Sequence, residues 1–169
     1  DQFEELFRYR SLDDASATVS AVTGGSVASY STVTSGTYRL RVTGAGDKND
    51  LRLDVPAMTL GSTQVATLIV TPGSGGVLVH ALLLTQGGAA AVHNNTLARA
   101  RVVASVAGNA RVSAGWGTRA LMTSGASPAI GSYATVTAGT MAPQVSVDAV
   151  ALAVPALAMA AGSDSTLLV

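Results

Sequence analysis

Gly36-Thr37-Tyr38-Arg39-Leu40-Arg41-Val42-Thr43 decides the fold of this chain. Tyr38, Leu40 and Val42 alternate with Thr37, Arg39, Arg41 and Thr43, a period of two that sets apolar side chains on one face of a strand and polar ones on the other. A strand with one buried and one wet face belongs to an antiparallel sheet. Upstream, Phe7–Arg10, Ala17–Val22 and Ser29–Thr34 read as strands, with turns at Gly24-Gly25 and Ser35-Gly36. Downstream, Gly44–Asp50 reads as a polar hairpin loop, and Leu51–Val55 returns with the same alternation. Pro56 cannot donate to a ladder and so marks an edge or a bulge. Gln64–Thr71 and Val77–Thr85 form a hairpin around Pro72-Gly73-Ser74-Gly75-Gly76. Gln86–Asn95 has neither period and reads as a linker.

The same pattern then returns. Ser29-Tyr30-Ser31-Thr32-Val33-Thr34-Ser35-Gly36-Thr37 recurs as Ser132-Tyr133-Ala134-Thr135-Val136-Thr137-Ala138-Gly139-Thr140, 103 positions later. Val55-Pro56-Ala57 recurs as Val154-Pro155-Ala156, and Thr67-Leu68-Ile69-Val70 as Thr166-Leu167-Leu168-Val169, both 99 positions later. A period near one hundred residues is too long for a solenoid and suits two tandem domains. These fall at 1–86 and 97–169, with a linker over 87–96. Arg99–Val103 aligns with Leu6–Arg10, and the changes of offset fall in expected turns, including a longer loop over Gly115–Ile130. The first copy closes with two strands, Gln64–Thr71 and Val77–Thr85; the second has a counterpart only of the former, Ser163–Val169. The second domain is therefore expected to lack its last strand and to expose an unpaired edge, through truncation, a smaller strand count or a strand donated by another subunit.

Composition narrows the function classes. The chain of 169 residues is 48% hydrophobic but only 4% aromatic, so Val, Ala and Leu must do most of the packing. Charged residues make up 12%, about half the usual share of roughly 25%. A net charge of +0 argues against a nucleic-acid surface. Cysteine is absent, which removes disulfides and any Cys-based nucleophile or metal site. The longest apolar stretch, Val147–Ala161, is interrupted by Asp148 and Pro155, whereas a membrane-spanning helix needs about 20 apolar residues. A Ser/Thr-rich surface with one lysine and no cysteine fits an exported bacterial protein, extracellular or at the cell surface. The chain opens Asp1-Gln2-Phe3-Glu4-Glu5, so any secretory signal is expected to have been removed or left out.

The repeat resembles the bacterial family catalogued as domain of unknown function 4397. The resemblance rests on the opening strand Ala98-Arg99-Ala100-Arg101-Val102-Val103, on the Val-centred strand within Ser105–Ala114, and on the Tyr-x-Thr-Val-x-x-Gly-Thr segment carried by both copies. It covers most of 6–85 and 97–169. It implies secreted or envelope-attached tandem β-sandwich modules with no assigned catalysis. The first copy departs at Phe7-Arg8-Tyr9-Arg10-Ser11-Leu12-Asp13-Asp14, which is bulkier and more charged than the pattern.

Candidate chemistry is sparse. No acidic residue lies between Val55 and Val147, and the second domain has only Asp148 and Asp164, so paired-carboxylate hydrolysis is not expected there. Asp47, Asn49 and Asp50 could form a weak calcium loop, but they lack the rest of an EF-hand and are ordinary hairpin-tip residues. His80 and His93, the only histidines, have no third ligand nearby in sequence. No Gly-x-Ser-x-Gly elbow occurs, and Gly73-Ser74-Gly75-Gly76 reads as a hairpin turn rather than a phosphate cradle. Tyr30 and Tyr133 are expected to be buried, each tying down a strand corner through its hydroxyl, with ligand stacking as the alternative. Trp116 is expected to be exposed in the long loop, either contacting a partner or packing within it.

These readings converge on an all-β chain of two tandem antiparallel β-sandwich domains, immunoglobulin-like or transthyretin-like. The expected function is that of a non-enzymatic, exported structural module without a cofactor, assembling into filaments by strand contacts. Phe3, Phe7, Trp116, Leu167 and Val169 are the candidate contact residues for self-association. The alternative is an adhesin or glycan- or protein-binding module using the 115–130 loop.

Overall fold

The computed structural model describes residues 5–9, 17–73 and 75–169, with backbone only for 5–9 and 17. Phe3 lies outside the described residues, and of Phe7 only the backbone is described. The chain is all-β, apart from a 3-10 turn at Ala107–Asn109. Among the described residues, no helix is long and apolar enough to cross a membrane. Contacts divide the chain into two compact units, one running to Pro72 and from Val79 to Asn95, the other made of Gly73–Leu78 and Thr96–Val169.

In the first unit the strands are β1 (Glu5–Tyr9), β2 (Ala17–Val19), β3 (Gly36–Gly44), β4 (Asp47–Leu60), β5 (Ala66–Pro72), β6 (Val79–Thr85) and β7 (Ala90–His93). They form two antiparallel sheets, β2-β1-β3-β4 and β5-β6-β7. Leu40, Val42, Leu53 and Val55 of the first sheet share one core with Val79, Ala81 and Leu83 of the second, which makes the unit a sandwich. The alternation over Thr37–Val42 faces Tyr38, Leu40 and Val42 inward, but Thr43, expected on the wet face, is also buried. On the outer face Arg39 forms a bidentate ion pair with Asp54, whose hydrogen bond and charge raise the guanidinium above its ordinary pKa. Pro56 lies at a bulge of the edge strand β4, between the pairs Tyr38↔Met58 and Leu40↔Val55.

Three sequence expectations need correction here. The turn between β3 and β4 is only Ala45-Gly46, so the chain re-enters the ladder at Asp47 (Gly44↔Asp47) and residues 48–50 bulge instead of forming a loop. Residues 87–96 are not a plain linker: Gly87 and Gly88, at φ +102 and +127, reverse the chain, and β7 pairs with β6. Small side chains with no clear period conceal a strand whose ladder is made by backbone groups. Ser29–Thr34 is not a strand. Its counterpart in the second copy, Ala134–Thr137, pairs with the repeat's opening strand, but in the first copy that opening strand, β1, is laddered to β3.

The second unit contains β8 (Leu97–Ala104), β9 (Arg111–Trp116), β10 (Arg119–Ala126), β11 (Ala129–Ile130), β12 (Ala134–Thr137), β13 (Gly139–Met141), β14 (Gln144–Val147), β15 (Val150–Leu152), β16 (Leu157–Met159) and β17 (Asp164–Leu168). One sheet is β10-β9-β14-β15. In a second, β11 and β12 pair antiparallel with successive parts of β8, while β17 runs parallel to β8, and β13 and β16 form a separate two-stranded antiparallel sheet. That parallel ladder departs from the purely antiparallel expectation. The expected loop over 115–130 is β10 and β11, reversed at Gly117-Thr118.

The core of this unit is built on small residues. Ala98, Ala100, Val102 and Ala104 alternate inward along β8 and share a core with Val112, Ala114, Trp116, Val136 and Val145. Ser127 is buried and fully engaged: its Oγ accepts from Val106 N–H at 2.7 Å and donates to Val106 O at 2.7 Å, and its own N–H donates to Ala110 O. Ser127→Ala leaves both Val106 backbone groups without that partner, so urea unfolding followed by Trp116 fluorescence is expected to show a loss of about 1–3 kcal/mol.

Candidate functional site

The most organised exposed surface lies on the outer face of β8 and its neighbours. Residues Leu97, Arg99, Arg101 and Val103 alternate outward from the buried alanines. The β8 register places Asp164 beside Arg99, Thr166 beside Arg101 and Leu168 beside Val103 on one side, and Ile130 beside Val103 on the other. The Arg99 and Arg101 guanidiniums both stand 4.7 Å from the centre of the Tyr133 ring. Arg101 Nε donates to Thr166 Oγ1 at 3.1 Å, and the Tyr133 hydroxyl lies 3.4 Å from the same oxygen. Arg99 Nε is 3.5 Å from Asp164 Oδ1, within ion-pair reach but outside the hydrogen bonds. Gly76 belongs to this unit and sits at φ +81; a Cβ there would fall 2.3 Å from the Asp164 carboxylate. Beyond this polar cluster runs an apolar row of Leu168 (70% exposed), Val103 and Ile130 (73% exposed).

The predicted residues are distributed otherwise. Trp116 is not exposed: at 2% accessibility it closes β9 inside the core, and its indole N–H donates to Thr137 O at 3.0 Å. Its place after Gly115, in a stretch rich in turn residues, concealed a strand end. Tyr30 is 77% exposed and Tyr133 half-buried, so neither is a buried corner residue. Their hydroxyls nevertheless make equivalent contacts, Tyr30 with Thr67 at 3.3 Å and Tyr133 with Thr166 at 3.4 Å. The buried corner tyrosine is Tyr38, whose hydroxyl donates to Thr34 O four residues upstream. Its inward place in the alternation was the available signal.

Asp47 Oδ1 accepts from Asn49 N–H at 2.8 Å, an Asx turn, while Asp50 Oδ2 pairs with Arg52 at 3.0 Å. These carboxylates serve the bulge. Among the described residues, no group of three or more His, Asp or Glu could hold a metal ion. His93 stands opposite Ala81 in the ladder, so His80 and His93 point to opposite faces of the sheet. His80 Nδ1 accepts from Asn95 N–H at 2.9 Å. Asp148 accepts from Arg111 N–H at 2.8 Å and holds the start of β9. Leu167 and Val169 pack, half-buried, against the core of their own unit. Sequence reading missed Asn95 and Ser127 altogether, because a buried polar residue has no periodic signature.

A shallow, open cavity of about 410 Å³ lies on the sheet β10-β9-β14-β15, lined by Ser113, Gly115, Arg119, Met122, Gln144 and Ser146 among others. It brings together no nucleophile and base. No protein-family model matches the chain, and no curated protein matches it.

Proposed function

We propose that the chain is a non-enzymatic structural module of an exported bacterial protein, at the cell surface or in the extracellular matrix, that self-associates through β-strand contacts into filaments. The reading refines the all-β sandwich to an immunoglobulin-like or transthyretin-like module of the kind the resemblance to domain of unknown function 4397 implies. One observation carries it: β17 lies at the edge of its sheet, flanked by the exposed apolar row Leu168–Val103–Ile130. Edges of this kind recruit strands unless charge or proline blocks them; β17 has no proline, and its one charged residue, Asp164, stands at its first position beside Arg99. The low charge of the chain removes a further barrier to association.

Sedimentation velocity over a hundredfold range of protein concentration, with electron microscopy of the same samples, tests the reading. Species whose size rises with concentration and regular polymers on the grid are expected. A single monomeric species throughout, with no polymer, would overturn it.

A further inference from the structure

Arg99 and Arg101 lie two positions apart on the outer face of β8, and both guanidiniums stand 4.7 Å from the centre of the Tyr133 ring. The two cations are thus no further apart than twice that distance, and like charges held so close repel. Among the described residues one carboxylate reaches the pair: Asp164 Oδ1, 3.5 Å from Arg99 Nε and in no hydrogen bond. The only other acidic residue of this unit, Asp148, holds the start of β9 in a different sheet. The cluster therefore carries one positive charge in excess.

Its donors are also in excess. A guanidinium offers five N–H donors and no acceptor. Arg101 Nε donates to Thr166 Oγ1 at 3.1 Å, and among the described residues the Nη groups of both arginines have no protein acceptor. Arg99 is largely withdrawn from water, its side chain only 18% exposed, and Asp164 beside it is 19% exposed. The backbone at Gly76 closes over that carboxylate, since a Cβ there would fall 2.3 Å from it. The Tyr133 and Thr166 hydroxyls hold two protons between them, and their mutual contact at 3.4 Å uses one. The other is left to donate.

The first copy serves as an internal control. Tyr30 makes the equivalent contact with Thr67 at 3.3 Å, and among the described residues no arginine stands over its ring. The positions aligned with Arg99 and Arg101 are Leu6 and Arg8, on β1, which ladders to β3 instead. The tyrosine–threonine contact thus forms without a pair of guanidiniums, and holding Tyr133 in place does not account for them.

We propose that Arg99, Arg101 and the Tyr133–Thr166 hydroxyl pair form a binding site for an oxyanion: a sulfate, phosphate or carboxylate group, free or borne by an acidic polysaccharide. Guanidinium forks donate to such oxygens in parallel pairs at about 2.7–2.9 Å, and a bound anion cancels the repulsion between the two cations. The remaining hydroxyl proton donates to the same group. Asp164 competes for Arg99 and holds the affinity down. The site lies within one unit and does not depend on self-association.

The test is a nitrogen-15 NMR titration of the whole chain with sodium sulfate, ionic strength being held constant with sodium chloride. Saturable shifts are expected at the amides of residues 99–101, 133 and 164–166, with β3 and β4 unmoved. Arg101→Gln is expected to weaken sulfate at least about tenfold while Trp116 fluorescence stays that of the parent. Arg101→Lys keeps the charge but loses the fork, so it is expected to recover only part of the affinity. Asp164→Asn removes the competing carboxylate and is expected to tighten sulfate at least about threefold, a gain that a purely structural ion pair would not give. No saturable shift, or sulfate binding indifferent to Arg101→Gln or to Asp164→Asn in folded variants, overturns the proposal. Dextran sulfate, compared with sulfate at equal sulfate concentration and with neutral dextran, separates the sources. Tighter binding of dextran sulfate, lost in Arg101→Gln, supports a polymer-borne anion, and equal binding supports a free one. Neutral dextran that binds as well as dextran sulfate counts against the oxyanion altogether.

Discussion

Trp116→Ala is expected to destabilise the second unit by about 3–5 kcal/mol, the range for truncating a buried large aromatic. Three of the four inward residues of β8 are alanines, so the core of this unit holds little volume in its aliphatic side chains. The 2% exposed indole supplies much of the apolar bulk and ties β9 to the end of β12 through Thr137 O. Truncation removes both and leaves a hole that alanines cannot close. Urea unfolding followed by far-ultraviolet circular dichroism measures the loss. Trp116→Phe keeps most of the volume and drops the indole bond, so a smaller cost of about 1–3 kcal/mol is expected. If Trp116→Ala left the unfolding midpoint unchanged, the indole would not be a core residue.

Asn95→Leu is expected to be comparably damaging to the first unit. Asn95 is buried, and its Nδ2 donates to Arg52 O at 2.6 Å and to Val79 O at 2.9 Å, joining β4 to β6 across the sandwich. Leucine has similar size but no donor, and each buried carbonyl left unsatisfied costs about 1–3 kcal/mol. Asn95→Asp is expected to be worse, since it turns a carboxylate toward two carbonyl oxygens. Hydrogen exchange resolved by residue checks both variants. Amides of β4 and β6 should lose protection while those of β8 and β9 keep theirs, because Asn95 and both its acceptors lie in the first unit. Equal loss in both units would place the effect elsewhere.

These two residues also mark how far sequence reading reaches. Tyr38, Leu40 and Val42 were legible as inward because a period of two is local and survives any choice of neighbour. Trp116 was not: whether a residue between two glycines ends a strand or sits in a loop depends on which strands ladder to it, here β10 through Arg119 opposite Trp116 and β14 through Gln144 opposite Gly115. The strand β7 was hidden for the same reason, since Ala90–His93 becomes a strand only because β6 offers a free edge. The candidate site was half visible. Alternating Arg99 and Arg101 could be placed on one face, but not their stacking on Tyr133, which needs the turn that brings residue 133 back over β8.

The sequence by itself determined that this chain is all-β, which faces of its strands are apolar, and which positions of the two copies correspond. That correspondence reappears in space in the two tyrosine–threonine contacts. Only the tertiary structure decided which edge of a strand is paired. The alternation of side chains specifies faces, whereas the backbone N–H and C=O groups that specify edges are the same in every residue except proline. Thr67–Val70 and Thr166–Val169 are nearly identical in sequence, yet they bind neighbours on opposite sides. The edge of β17 left over by that choice could be seen only once β8 had taken the other.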